Sequence, residues 1–363
     1  MNKKIGNIGF ASLVFFLSHE IFLGVGFSRI LSISLQDTWL SLILAFILGF
    51  IFLILFFKIM NYEKDLNLFD KNKKLFGNKL GKIINFILNI SVTIYFMFSL
   101  WNLAIYIQNK FLDQTPNFLI MFLFIIPVIY LVSKDIKTIA KVSLICFIIA
   151  IIEFILSALG LIGFLEIDNF KPFLNTNLNN VLSSSFIFLS YFLTPFFLLL
   201  IVPKNRIDNP NSFNKSFIIF YIIANLEFLI IVCFIISIFG IDYAKLFYYP
   251  EFSLLKKISY FDFIEHVENL LSSQWLFSLF MGSVMNLYFI KSYLNNTDLK
   301  KEKTKKIIYY VIIFLSLFVS PKLFANTTIE YNFVKDYFII IYTIPVLILL
   351  IIAIFMIKIK KRN

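Results

Sequence analysis

The chain has 363 residues, of which 60% are hydrophobic and 15% charged, with a mean hydropathy of +0.88. Soluble domains sit near 45–50% apolar and about 25% charged, so this chain lacks the polar surface to cover a core in water. That excludes a soluble enzyme, a disordered chain and a secreted disulfide scaffold.

Ten apolar runs follow in order. They lie at about 8–31, 38–57, 83–108, 117–132, 142–163, 181–202, 216–240, 266–290, 307–325 and 336–357. A hydrocarbon core of about 30 Å needs roughly 20 residues of helix, and within lipid the backbone must satisfy its own hydrogen bonds. The expected fold is an all-α polytopic membrane protein of about ten helices forming one integral domain over 1–363. Helices one to five lie at about 8–163, six to ten at about 181–357, and a basic tail at 358–363. The first run follows Lys3 and Lys4 without a small-residue cleavage site, so it reads as an uncleaved helix. The inter-run segment 58–82 is expected to hold a short interfacial helix, as is 241–265 with its Tyr248-Tyr249-Pro250.

Charge sets the orientation. With the N-terminus inside, 25 of the 33 Lys and Arg residues fall on the inner side, a strong positive-inside asymmetry. The net charge of +12 is therefore topology and attraction to anionic lipid, with no nucleic-acid partner implied. Cys146 and Cys233 lie inside apolar runs, where cysteine behaves as a small hydrophobe. No phosphate-binding loop, nucleophile elbow, H-E-x-x-H or paired C-x-x-C occurs, so no enzyme, catalytic residue, cofactor or metal site is expected.

Three carboxylates fall at membrane depth: Glu20 in the first run, Glu153 in the fifth and Glu227 in the seventh. Each costs at least about 2.5–3.5 kcal/mol to insert. Such a group couples an ion or proton, contacts substrate, or sits protonated against a backbone carbonyl. His19 points about 100° away from Glu20 around a helix and reads as a structural hydrogen-bonder. Gly24-Val25-Gly26 follows within two turns; two glycines weaken a helix by about 1 kcal/mol each, permitting either backbone approach to a ligand or tight helix packing.

The sixth run carries Ser183-Ser184-Ser185 and then Ser190-Tyr191-Phe192-Leu193-Thr194-Pro195. Proline removes a ladder donor and disfavours helix at the preceding residue, giving a break or a kink. If the chain is two five-helix halves, runs one and six are equivalents, and interrupted helices at matching positions point to a transport site. Candidate substrate contacts are thus Glu20, Gly24, Val25, Gly26, Ser190, Tyr191 and Thr194. Candidate ion or proton couplers (Na+ or H+) are Glu153, Glu227, Ser272 and Ser273, the serine hydroxyls serving sodium or bonding back to their helix. Asp262, Glu265, His266 and Glu268 read as an acidic helix start, with a metal or proton site as the alternative.

Several stretches resemble the spore germination permease family, the B-type subunits of germinant receptors within the amino acid–polyamine–organocation (APC) transporters. They are Gln36-Asp37-Thr38-Trp39-Leu40-Ser41, Phe76-Gly77-Asn78-Lys79-Leu80-Gly81-Lys82, Thr115-Pro116, and Tyr249-Pro250 through Glu268 into FIEHVENLLSSQWLFSLF. The resemblance implies a LeuT-like pair of inverted five-helix repeats, with broken helices one and six and a small-molecule site among helices one, three, six and eight. It also implies a nutrient germinant such as an amino acid, a larger A-type membrane subunit, a C-type lipoprotein, and the inner spore membrane. Where the family commonly has a late proline in helix one this chain has Phe27, and where it often has Gly-Glu in helix six this chain has Leu193-Thr194. Glu20 is then the carboxylate left to meet an ammonium group. The alternatives are a proton- or sodium-coupled amino acid permease and a non-transporting membrane scaffold subunit.

Overall fold

The computed structural model describes residues 4–258, 268 and 272–360. Every apolar run falls on helix, the eighth from Ser273 onward. The first, α1, comes in pieces: Asn7–Ala11, Leu13–His19, a π-turn over Phe22–Gly26, and Phe27–Ser34. Then come α2 (Thr38–Asn61), α3 (Leu68–Phe76), α4 (Asn78–Lys110), α5 (Asn117–Ser133) and α6 (Ile136–Leu161). Next are α7 (Leu178–Leu193), α8 (Pro210–Ala244), α9 (Pro250–Leu255), α10 (Ser273–Asn296) and α11 (Glu302–Phe324). The last, α12, runs from Thr327–Asn332 through two π-turns into Ile344–Lys360.

Among the described residues, seven helices are long and apolar enough to cross a membrane, and Asn7–His19 and Asn117–Ser133 are shorter apolar ones. The protein is an all-α polytopic membrane protein. Its exterior carries Ile148, Ile152, Phe314, Phe318, Ile351 and Phe355, all strongly exposed. Contiguous apolar surface of this kind is a liability in water and a requirement in lipid. Burial separates inner from outer helices. In the apolar window of Leu178–Ile201, 89% of positions are buried, against 28% for Ile136–Phe164, so α7 is central and α6 peripheral.

The interruptions expected from sequence are present. At Pro195 the α-helix gives way to a 3₁₀ helix over Thr194–Ile201, every residue of which is buried. In α1 the helix stops at Glu20 and widens through Phe22–Gly26. A Cβ on Gly26 would sit 2.9 Å from both the Ile21 carbonyl oxygen and the Phe22 ring, so this turn closes only around glycine.

The two interfacial helices also form. In α3, the Asn67 side chain accepts the Asp70 N–H as N-cap, and Gly77 ends the helix at φ 82°, a left-handed conformation that favours glycine. Lys71 lies buried under α3 and donates to the Ile59 and Met60 carbonyls at 2.9 and 3.2 Å. It thereby serves the orphan acceptors at the end of α2. Burial pushes its ammonium pKa down to about 8. Asp37, from the Gln36-Asp37 stretch, accepts the Leu174 and Thr176 N–H groups, both at 2.8 Å, and Gln36 donates to the Pro172 carbonyl. The motif clamps the connection between α6 and α7 against the end of α1.

Candidate functional site

Glu20 is 1% exposed and stands where α1 breaks. Helix α10 packs against both α4 and the Leu13–His19 piece of α1, which brings donors from two distant helices to one carboxyl. Oε1 accepts the Ser99 hydroxyl of α4 at 2.7 Å and the Asn286 amide of α10 at 2.9 Å. The Tyr95 hydroxyl lies beside it. One turn before Asn286, Gly282 makes the room: a Cβ there would run into the Glu20 carboxyl. Oε2 has no hydrogen-bond partner among the described residues, nor have the buried side chain of Asn102 and the Ser283 hydroxyl. A carboxyl with one oxygen held and one open can meet a cationic ligand group or carry a proton.

A second pair was hidden in the sequence. His19 Nε2 lies 3.8 Å from Glu227 Oε1 of α8, both side chains 3% exposed. Nδ1 sits 2.7 Å from the Phe15 carbonyl and 3.0 Å from the Ser18 hydroxyl. The ring lies between Phe15 and Phe228 at 4.4 and 4.2 Å. A proton on Nδ1 for the carbonyl leaves Nε2 as an acceptor facing Glu227. The structural hydrogen bond expected of His19 is there, but so is a carboxyl partner. As helical spacing requires, His19 and Glu20 face different helices.

Glu153 belongs to a third arrangement. Its Oε1 accepts the Ser273 hydroxyl at 2.5 Å and the carboxyl also receives the Gln274 N–H. A carboxylate there suits the unpaired donors and positive dipole end of a helix start, so α6 caps α10 from the side. Ser273 thus spends its hydroxyl on Glu153. Its neighbour Ser272 lies beside Tyr106 of α4. The two serines point to different helices.

The sixth-run candidates divide. Ser190 and Thr194, at i and i+4 on one face, border a cavity of about 210 Å³ shared with Leu48 of α2 and Leu347 of α12. The Ser190 hydroxyl bonds back to the Phe186 carbonyl at 2.8 Å. Tyr191 faces elsewhere, donating to the Val334 carbonyl at 3.0 Å with its ring 5.9 Å from Phe22. Of the three, Tyr191 alone touches the broken segment of α1. Val25 is fully buried, and Gly24 lies in the π-turn. Asp262, Glu265 and His266 lie outside the described residues, while Glu268 is buried.

Sequence reasoning passed over Ser99, Asn286 and Gly282, and a cluster around Glu330 as well. Glu330 is fully buried and accepts the Tyr248 hydroxyl at 3.0 Å. Burial pushes its carboxyl pKa up to about 8. Glu251, Tyr249 and Tyr106 are buried nearby, with Lys110 4.9 Å above the Tyr249 ring. The available signal was the isolated polar residue within an apolar run, as at Ser99 and Asn102. Among the described residues no group of three or more His, Cys, Asp or Glu side chains could hold a metal ion.

A family model described as spore germination protein, the spore permease model, matches residues 11–327. No curated protein matches the chain. The matched region runs from within α1 through α11 and includes Glu20, Ser99, Gly282 and Asn286.

Proposed function

Since this chain belongs to the spore germination permease family, we propose that it is the permease-like subunit of a germinant receptor, binding a small nutrient at Glu20. The observation that carries the reading is the Glu20 carboxyl itself: buried, bonded through one oxygen to α4 and α10, and located at a break in α1. A charge-capable group at that depth is costly unless it is used. Broken helices expose unpaired backbone groups that complement charged ligands at the midplane. An amino acid fits these features. Its ammonium group pairs with Glu20, and its carboxylate meets the backbone of the Phe22–Gly26 turn. Binding there biases the packing of α1 against α4 and α10, and that shift is the signal, passed to an A-type membrane subunit and a C-type lipoprotein.

The same reading takes the architecture as LeuT-like, five helices inverted against five, with α1 and α7 as the interrupted pair. It puts both termini and the lysine-rich side in the cytoplasm, with the chain in the inner membrane of the spore. One observation favours a second reading, a proton-coupled amino acid permease: the buried His19–Glu227 pair suits a shared proton.

Glu20→Gln keeps the shape and removes the charge. In spores carrying the variant at normal abundance, the germination response to amino acids should be lost. A wild-type response would remove Glu20 from the site. Uptake of labelled amino acid by proteoliposomes, driven by a pH gradient and lost in Glu227→Gln, would decide for the permease.

A further inference from the structure

On the lysine-rich side, α5, α10 and α11 enclose a cavity of about 400 Å³ lined by Lys291, Lys305, Lys306, Ser133 and Glu302 among others. It adjoins a second cavity of about 600 Å³, with Ile129, Lys306 and Tyr310 bordering both. The second is apolar and open along its length, a trough between α5 and α11 walled by Ile126, Phe314 and Leu317 and headed by Lys303 and Lys306. A polar, cationic chamber thus lies beside a hydrophobic groove.

The dimensions match one molecule. From Ile307 to Leu317 a helix rises about 15 Å, half of a hydrocarbon core of about 30 Å, so the groove spans one leaflet. Only one of these lysine charges is paired within the protein. Lys291 donates to the Val132 carbonyl and Lys305 to the Asn295 carbonyl and the Glu302 carboxylate. Among the described residues the side chains of Lys303 and Lys306 have neither an ion pair nor a hydrogen bond. Four lysines against one glutamate leave a surplus of positive charge at headgroup level. The Tyr310 ring lies at the junction, where amphipathic aromatics favour the interface.

We propose that this is a specific site for an anionic phospholipid, its phosphate held by Lys303, Lys306 and Lys291 and one acyl chain lying in the α5–α11 groove. Bound there, the lipid ties α11 to α5 and α10, and the middle of α10 carries Gly282 and Asn286. The inference stands apart from the germinant reading, since it uses none of the Glu20 site.

The test uses the full chain, delipidated in detergent, with phosphatidylglycerol and phosphatidylcholine of identical acyl chains titrated by native mass spectrometry. Each lysine near a membrane surface favours anionic lipid about fivefold, so wild type should prefer phosphatidylglycerol by at least about 30-fold. Lys303→Gln/Lys306→Gln leaves only Lys291 and should cut that preference to about fivefold, while the lipid-free protein melts as wild type does. Ile129→Trp fills the junction of the two cavities and should weaken both lipids together. Equal binding of the two lipids by wild type would overturn the proposal, as would undiminished selectivity in the double variant. Full displacement of phosphatidylglycerol by millimolar inorganic phosphate would also overturn it, because the pocket would then be a free-phosphate site.

Discussion

Gly282→Ala isolates the geometry of the Glu20 site. The added Cβ falls on the Glu20 carboxyl, so the side chain must leave the Ser99 and Asn286 donors. Overpacking a close-packed interior costs about 1–3 kcal/mol, and interhelical hydrogen bonds in membranes average about 0.6 kcal/mol each. The two lost bonds therefore add about 1 kcal/mol, for a total of about 2–4 kcal/mol. The thermal unfolding midpoint in detergent, followed through the buried Trp101 and Trp275, should fall by about 3–5 °C. The decisive comparison is a double-mutant cycle. In a Glu20→Ala background the carboxyl is gone, the methyl has space, and Gly282→Ala should cost less than about 0.5 kcal/mol. An equal loss in both backgrounds would refute direct contact between position 282 and Glu20, and with it the notch that seats the carboxyl.

Two further outcomes are expected. If Glu153 caps α10, Glu153→Ala should lower stability by about 0.5–2 kcal/mol, while Glu153→Gln, which keeps an accepting oxygen, should lose less; identical melting of the two variants would exclude the cap. Glu330 has its folded pKa raised to about 8 from an ordinary 4.5. Between those values the folded state holds a proton that the unfolded chain has released, so stability falls as pH rises from about 4.5 to about 8. The melting curve of Glu330→Gln should lack this portion of the slope, and an unchanged pH profile would mean that Glu330 does not titrate in that window.

The helical runs, both interruptions and the interfacial helices were legible because each depends on local chemistry. An apolar run of about 20 residues has one stable solution in lipid. Proline at 195 and glycine at 26 act on the backbone where they stand. The cost of burying Glu20, Glu153 and Glu227 is also local, and it marked all three as residues requiring an explanation. Missed were the groups that supply that explanation. Ser99 and Asn286 are ordinary polar residues 79 and 266 positions from Glu20 in the chain, and Gly282 matters only because a carboxyl lies against it.

By itself, then, the sequence determined the solvent, the helix positions and the points where helices break, all through short-range transfer and backbone energetics. Only the tertiary structure decided which carboxyl serves what. Three glutamates with the same insertion cost became a site candidate held by α4 and α10, a partner for His19, and a cap on α10. Hydropathy charges each of them alike. The difference comes from packing: α10 meets α1, α4 and α6 and brings donors to Glu20 and Glu153, while α8 meets α1 and sets Glu227 beside His19.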